Sequence, residues 1–357
     1  MSIEIARART LGASLLLALC AACGGGGGSP GSGTATLAAR SSTLSLLAGS
    51  ATESGNVDGA GAAARFNQPT GIAIDSAGNL YVADRGNCAI RKITPGGSVS
   101  TLAGASSHCV SQDGSGLDAG FGFLTALATG PGNTLYAGDG LRVRAVSPAG
   151  VVGTAATLET GANISASEAP YFYVGGLAAD AGGNLYVTNG PGTRKIAAAG
   201  ATTLLDGVAS LDSLAGVSSR TFTQRGIAVD SAGTVWIANS DATISTIDAS
   251  GKRTQVAGLS GGPGYADGNG PAVRFGQVTA MTPDGAGNVF AADSGNSVIR
   301  KITPAGVVTS VAGTPGAAML QLGPAPGSLP ALAGVAADGK GALYTISGNA
   351  VIKVTLP

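Results

Sequence analysis

One large aromatic side chain recurs at Tyr81, Tyr136, Tyr186, Trp236, Phe290 and Tyr344, at intervals of 55, 50, 50, 54 and 54 residues. Six of the fifteen aromatics in this 357-residue chain thus occupy one repeat position, which restricts the fold to a repeating architecture. Around each aromatic the sequence follows one plan. In the first copy Gly71-Ile-Ala-Ile-Asp75 leads into Asn79-Leu-Tyr-Val-Ala-Asp84, then Ile90-Arg-Lys-Ile-Thr94, then Val99-Ser-Thr-Leu-Ala-Gly104. The fifth copy is nearly verbatim, with Asn288 to Asp293, Ile299 to Thr303 and Val307 to Gly313.

Each copy holds four short alternating or apolar runs separated by Gly, Asp or Asn, which reads as a four-stranded antiparallel meander. Asp75-Ser-Ala-Gly-Asn79 carries the turn chemistry: the Asp bonds the backbone ahead of it and the Gly accepts positive φ. The residue opening the first run is small in every copy (Gly71, Ala126, Gly176, Gly226, Ala280 and Gly334), as expected where innermost strands converge on an axis. The sixth copy stops at Val351–Pro357 after three runs. The missing fourth run stands at the other end, where Thr43-Leu-Ser-Leu-Leu-Ala-Gly49 resembles Val99 to Gly104. An all-β, six-bladed β-propeller of four-stranded antiparallel blades is predicted, its ring closed by the N-terminal strand pairing with the C-terminal blade.

The run from Asp58-Gly-Ala-Gly through Phe66-Asn-Gln-Pro-Thr-Gly71 and Tyr81-Val-Ala-Asp84 to Ile90-Arg-Lys-Ile93 resembles the NHL repeat. The resemblance extends over residues 43–357 and is sharpest in the first and fifth copies. It implies a β-propeller, often six-bladed, of a family used for protein or RNA recognition and in some branches for catalysis. Fold carries over from such a likeness, whereas function has to be argued from the site.

Three motifs invite a chemical reading. Asp-Gly-x-Gly with a Phe eight residues after the Asp occurs at Asp58, Asp113 and Asp267. A calcium loop needs several oxygen ligands at alternate positions, and each copy offers one carboxylate, with Asn269 the sole extra donor. A turn anchoring Phe66, Phe121 and Phe275 between blades is expected instead. The basic pairs Arg91-Lys92, Arg194-Lys195 and Arg300-Lys301 would form a rim for RNA if both members faced one way. Neighbours in a strand point to opposite faces, so pairing of Arg91 with Asp84 and Arg300 with Asp293 is expected. Cys88 and Cys109 fall in connections on the same face of a meander, and a disulfide is predicted, free thiols being the other possibility.

Propeller lactonases resembling this architecture hold a metal in the channel through Glu, Asp and Asn, and related lyases use histidines. The six strand openings here contain neither carboxylate nor histidine, and the one histidine, His108, lies in a loop. No catalytic residue, metal or cofactor is therefore expected.

Arg7 and Arg9 precede an apolar run from Leu11 to Ala22, the shape of a signal peptide and too short for a permanent membrane helix. Ala21-Ala22-Cys23 followed by Gly24 to Gly28 resembles a bacterial lipobox, departing from it at Cys20. The expected organisation is a signal peptide over 1–22, lipidated Cys23 with a Gly/Ser tether over 23–42, and a propeller over 43–357. Gly24 after Cys23 favours the outer membrane of the cell envelope, and cleavage by ordinary signal peptidase is the rival. Without residues 1–22 the chain carries 18 basic and 19 acidic residues, so no basic surplus speaks for nucleic acid. The function expected is a non-catalytic, monomeric recognition propeller for a protein or carbohydrate, with membrane contact through the lipid alone. His108, Tyr171, Phe172, Arg225 and Tyr265 are the expected contact residues. A degenerate hydrolase or lyase acting in the channel is the alternative.

Overall fold

The computed structural model describes residues 41–158, 173–189, 192–207 and 226–357. They form six antiparallel sheets and no α-helix. Blade 1 runs outward from the axis as Pro69–Ile74, Leu80–Asp84, Ala89–Ile93 and Ser98–Gly104. Blades 2 to 5 repeat the order, with inner strands Leu124–Thr129, Val174–Ala179, Ile227–Val229 and Val278–Pro283. Blade 6 takes Leu332–Ala337, Ala342–Ser347 and Ala350–Thr355 from the C-terminus, and its fourth strand is Thr43–Gly49. Thr43 pairs with Thr355 and Gly49 with Ala350, as the sequence predicted. Each inner strand touches the inner strands of both neighbouring blades, so the ring is closed.

The core is divided among the blade interfaces. Six apolar clusters are found, each drawing on two adjacent blades: Tyr81, Ile90 and Ala103 of blade 1 meet Leu124, Leu135 and Val146 of blade 2, for example. Fully burying a large apolar side chain contributes about 1.5–3 kcal/mol, so these wedges supply most of the driving force. Small residues at the inner strands permit the convergence. A Cβ on Gly71 would lie 3.0 Å from the backbone nitrogen of Leu127, and one on Gly226 3.0 Å from the carbonyl carbon of Ala280.

The recurring aromatic is tied to the turn preceding it. Asp75 accepts hydrogen bonds from the backbone N–H groups of Ala77 and Asn79, and its other oxygen accepts from the Tyr81 hydroxyl at 3.0 Å. Burial and the bonded carboxylate push the Tyr81 hydroxyl up to about 12. Tyr186 with Asp180 and Trp236 with Asp230 repeat the contact. Lys92, Lys195, Lys301 and Lys353 lie over Tyr81, Tyr186, Phe290 and Tyr344, which accounts for the Lys of each basic pair.

The Arg of the pair goes the other way. Arg91, Arg144 and Arg300 are fully buried, and each guanidinium bridges two carboxylates. One is the buried Asp closing the second strand (Asp84, Asp139, Asp293, at 2.8, 2.9 and 3.2 Å). The other is the Asp of the Asp-Gly-x-Gly motif (Asp58, Asp113, Asp267, at 2.5, 2.6 and 2.7 Å). Phe66, Phe121 and Phe275 pack beneath these guanidinium groups with ring centroids 5.4, 5.5 and 5.3 Å away. The motif therefore anchors a Phe, as expected, and also delivers a carboxylate to a buried Arg.

The connections entering blades 1, 2, 5 and 6, three of which carry that motif, also reach the outside of the ring. They double back along the outer edge, where Gly59–Ala60, Gly114–Ser115, Gly268–Asn269 and Gly323–Pro324 add a fifth strand to blades 1, 2, 5 and 6. The single helical turns that follow the first three of these strands pack on the outer strand of the preceding blade. Among the described residues no helix is long and apolar enough to cross a membrane.

Candidate channel-mouth site

The six inner strands surround a cavity of about 310 Å³. Its described wall comprises residues 70–74, 125–129, 175–179, 227–229, 279–283 and 333–337, in which no carboxylate, imidazole or thiol occurs. The polar side chains present are threonines, and most of them are engaged in joining blades, while Thr125 donates to the carbonyl of Gly138 in its own blade. Thr279 donates to the carbonyl of Ala333 at 2.7 Å, Thr70 to that of Leu124 at 3.4 Å, and Thr129 to that of Ile74 at 2.7 Å. Such a wall shapes and dries a ligand, and offers it no acid or base.

The two faces of the ring differ. One carries the tight turns between first and second strands and between third and fourth. The other, the loop face, carries the turns between second and third strands and the connections between blades. Phe123 and Tyr173 stand on the loop face immediately before the inner strands of blades 2 and 3. Their rings lie 4.7 Å apart between centroids, inclined at 51°. Arg85, directly after the second strand of blade 1, lays its guanidinium carbon 3.9 Å from the centre of the Phe123 ring. All three are half-buried.

This row is held from behind. Buried Asp139 accepts the backbone N–H of Phe123 at 2.7 Å and that of Gly122 at 2.8 Å. The Phe123 carbonyl accepts the N–H of Gly140, whose own carbonyl accepts the N–H of Val174, so the backbones at Phe123 and Tyr173 are tied together. Arg85 opens a one-turn helix over Arg85–Asn87, whose next residue, Cys88, is bonded to Cys109. The Cα atoms are 5.3 Å apart. The disulfide expected from the sequence is thus present and pins the turn that carries Arg85.

Of the expected contact residues, His108 and Tyr265 fall among the described residues. Tyr171, Phe172, Arg225 and the lipidation candidate Cys23 lie outside the described residues. His108 is exposed, one residue before the disulfide. Tyr265 is exposed as expected, yet it belongs to the outer rim: its hydroxyl bonds Ser310 and its ring faces the Arg300 guanidinium at 5.2 Å. Arg85, Phe123 and Tyr173 were missed. The available signal was the register, because blades 1 and 5 carry Gln68 and Gln277 where blades 2 and 3 carry Phe123 and Tyr173.

Residues 66–93, which span the first three strands of blade 1, match the NHL repeat family. This chain is a six-bladed β-propeller whose first blade carries an NHL repeat. A comparison of the propeller with curated protein sequences found no match. Among solved structures, a protein of unknown function from Bacteroides thetaiotaomicron is similar at a TM-score of 0.70 and 19% identity, over 88% of this chain and 76% of that one. An auxiliary nutrient binding protein from the same organism is similar at a TM-score of 0.65 and 14% identity, over 88% and 76% of the two chains. A gluconolactonase from Xanthomonas campestris gives a TM-score of 0.55 and 12% identity, over 88% and 90%. At these identities the likeness establishes the propeller fold.

Proposed function

We propose that this NHL propeller is an extracytoplasmic recognition protein that captures its ligand at the loop-face mouth of the central channel without chemical turnover. The observation carrying this reading is the row of Arg85, Phe123 and Tyr173 at the loop-face ends of blades 1 to 3, on a ring whose central cavity has a described wall without acid–base groups. Partly buried aromatic surface beside an unneutralised guanidinium, fixed on a rigid scaffold, is the usual chemistry of a binding site. Similarity to auxiliary nutrient binding proteins supports a binding role. Export and anchoring through Cys23 belong to the same proposal.

The competing reading, a lactonase- or lyase-like enzyme in the channel, draws on fold likeness to a gluconolactonase and a streptogramin B lyase. One experiment separates the two. The intact chain is assayed for hydrolysis of simple lactones with calcium, magnesium or zinc added, in parallel with ligand screening by thermal shift. The proposal expects no turnover above the uncatalysed rate, and a thermal shift that Phe123→Ala abolishes. Metal-dependent turnover that survives in Phe123→Ala would overturn it. For the anchor, Cys23→Ser is expected to move the protein from the membrane fraction to the soluble one, and retention in the membrane would refute lipidation.

A further inference from the structure

We infer that the channel mouth takes a small ligand bearing a carboxylate on a ring, with Arg85 receiving the carboxylate. The inference rests on the recognition reading above and adds the ligand's chemical class. Its starting point is how arginines are used in this molecule. Among the described residues Arg65, Arg91, Arg144, Arg194, Arg253, Arg274 and Arg300 all donate hydrogen bonds from their guanidinium groups. Two described arginines, Arg85 and Arg142, have no such partner. Arg142 is exposed, where water satisfies it. Arg85 is half-buried, and one face of its guanidinium is covered by the Phe123 ring at 3.9 Å.

Stacking fixes the plane of the guanidinium and leaves its N–H edge unused. The acids that could neutralise it are committed elsewhere. Asp84, the residue before it, accepts from Arg91, Asn87 and the backbone N–H of Asn67. Asp139 accepts from Arg144, Ser111 and the backbone N–H groups of Gly122 and Phe123. A fixed planar fork with no internal acid suits a planar anion, because a carboxylate takes two parallel N–H bonds from it. A phosphate dianion gains more where several cations converge, and the other described arginine without a partner, Arg142, is exposed to water.

The rest of the site describes the rest of the ligand. Tyr173 and Phe123 offer inclined ring faces, against which a flat or pyranose ring packs. The two residues come immediately before the inner strands of blades 2 and 3, whose channel wall is apolar at Leu127 and Leu177, and the cavity of about 310 Å³ lies at the small end of the range for small-molecule sites.

The test uses the full chain and isothermal titration with benzoate and D-glucuronate, each beside its methyl ester and beside phenyl phosphate or glucose 6-phosphate. The expected result is saturable binding of at least one acid, about tenfold or more tighter than its ester. Arg85→Gln should abolish that discrimination at an unchanged melting temperature. Arg85→Lys, which keeps the charge and loses the fork, should retain only part of it. Acid and ester binding equally, with loss of both in Phe123→Ala, would retire the carboxylate and leave recognition at the mouth standing. Preference for the phosphate would do the same. No saturable binding by either acid at millimolar concentration overturns the carboxylate inference. Binding unaffected by both Phe123→Ala and Arg85→Gln would overturn the mouth itself, and with it the recognition reading.

Discussion

The buried arginines show how single residues are selected in this ring. Arg91 with Asp84, Arg144 with Asp139 and Arg300 with Asp293 are charge pairs fully removed from water. The other three blades lack the buried acid: blade 3 has a half-buried Arg194 facing Asn189, while blades 4 and 6 replace both members, with Ser245 and Asn239 and with Ile352 and Ser347. A charge left unpaired in such a place is expensive, whereas exchanging both members for neutral groups is tolerated. Arg91→Met is therefore expected to destabilise the fold by about 3–5 kcal/mol, because Asp84 is then buried without its counter-ion. The double variant Asp84→Ser with Arg91→Ile, which installs the blade 6 pair, should recover most of that loss. Urea denaturation of the two single variants and the double variant measures the coupling, and additive losses would refute it. Exposed Asp58 contributes less, since solvent screens an ion pair it can reach.

At the scale of strands and connections, the disulfide joins architecture to site. Cys88 and Cys109 are 21 residues apart in sequence and clamp the turn that carries Arg85 to the connection into blade 2. Closing a loop of that length stabilises the folded chain by about 3 kcal/mol. Cys109→Ser is expected to lower the unfolding free energy by about that amount. It should also weaken any ligand that depends on Arg85, and equal affinity in the reduced and oxidised protein would show that the clamp does not serve the site. Strands and closure were legible because alternation, turn residues and the recurring aromatic all report the same period. The outer hooks were not, since two-residue strands such as Gly59–Ala60 are too short to alternate. Arg144 escaped notice because Ala145 follows it, where Lys follows Arg91 and Arg300. The mouth was hidden for another reason. Arg85, Phe123 and Tyr173 come from three different blades, and only the side-by-side packing of blades 1, 2 and 3 brings them together.

The whole molecule depends on one strand supplied from the far end of the chain. Thr43–Gly49 covers the edge of Ala350–Thr355, and the hook strand Gly323–Pro324 in turn pairs with Thr43 and Leu44. Leu44 and Ala48 are buried, and Gly49 turns against Phe66 and the Asn349 carbonyl through a left-handed φ of +86°. Removing the strand thus exposes a sheet edge, opens the wedge between blades 6 and 1 and frees the hook. Leu44 alone accounts for about 2 kcal/mol of burial, and each ladder hydrogen bond adds about 0.5–1.5 kcal/mol. A chain beginning at Ser50 should lose at least about 5 kcal/mol by the same accounting and associate through the bare edge of blade 6. A synthetic peptide of residues 41–50 added in trans should restore the monomer, because it re-forms the ladder with Ala350–Thr355 at no change to the rest of the ring. Size-exclusion chromatography and urea denaturation with and without the peptide follow both effects. A shortened chain that stays monomeric with an unchanged denaturation midpoint would mean that the inner-strand contacts close the ring without the N-terminal strand.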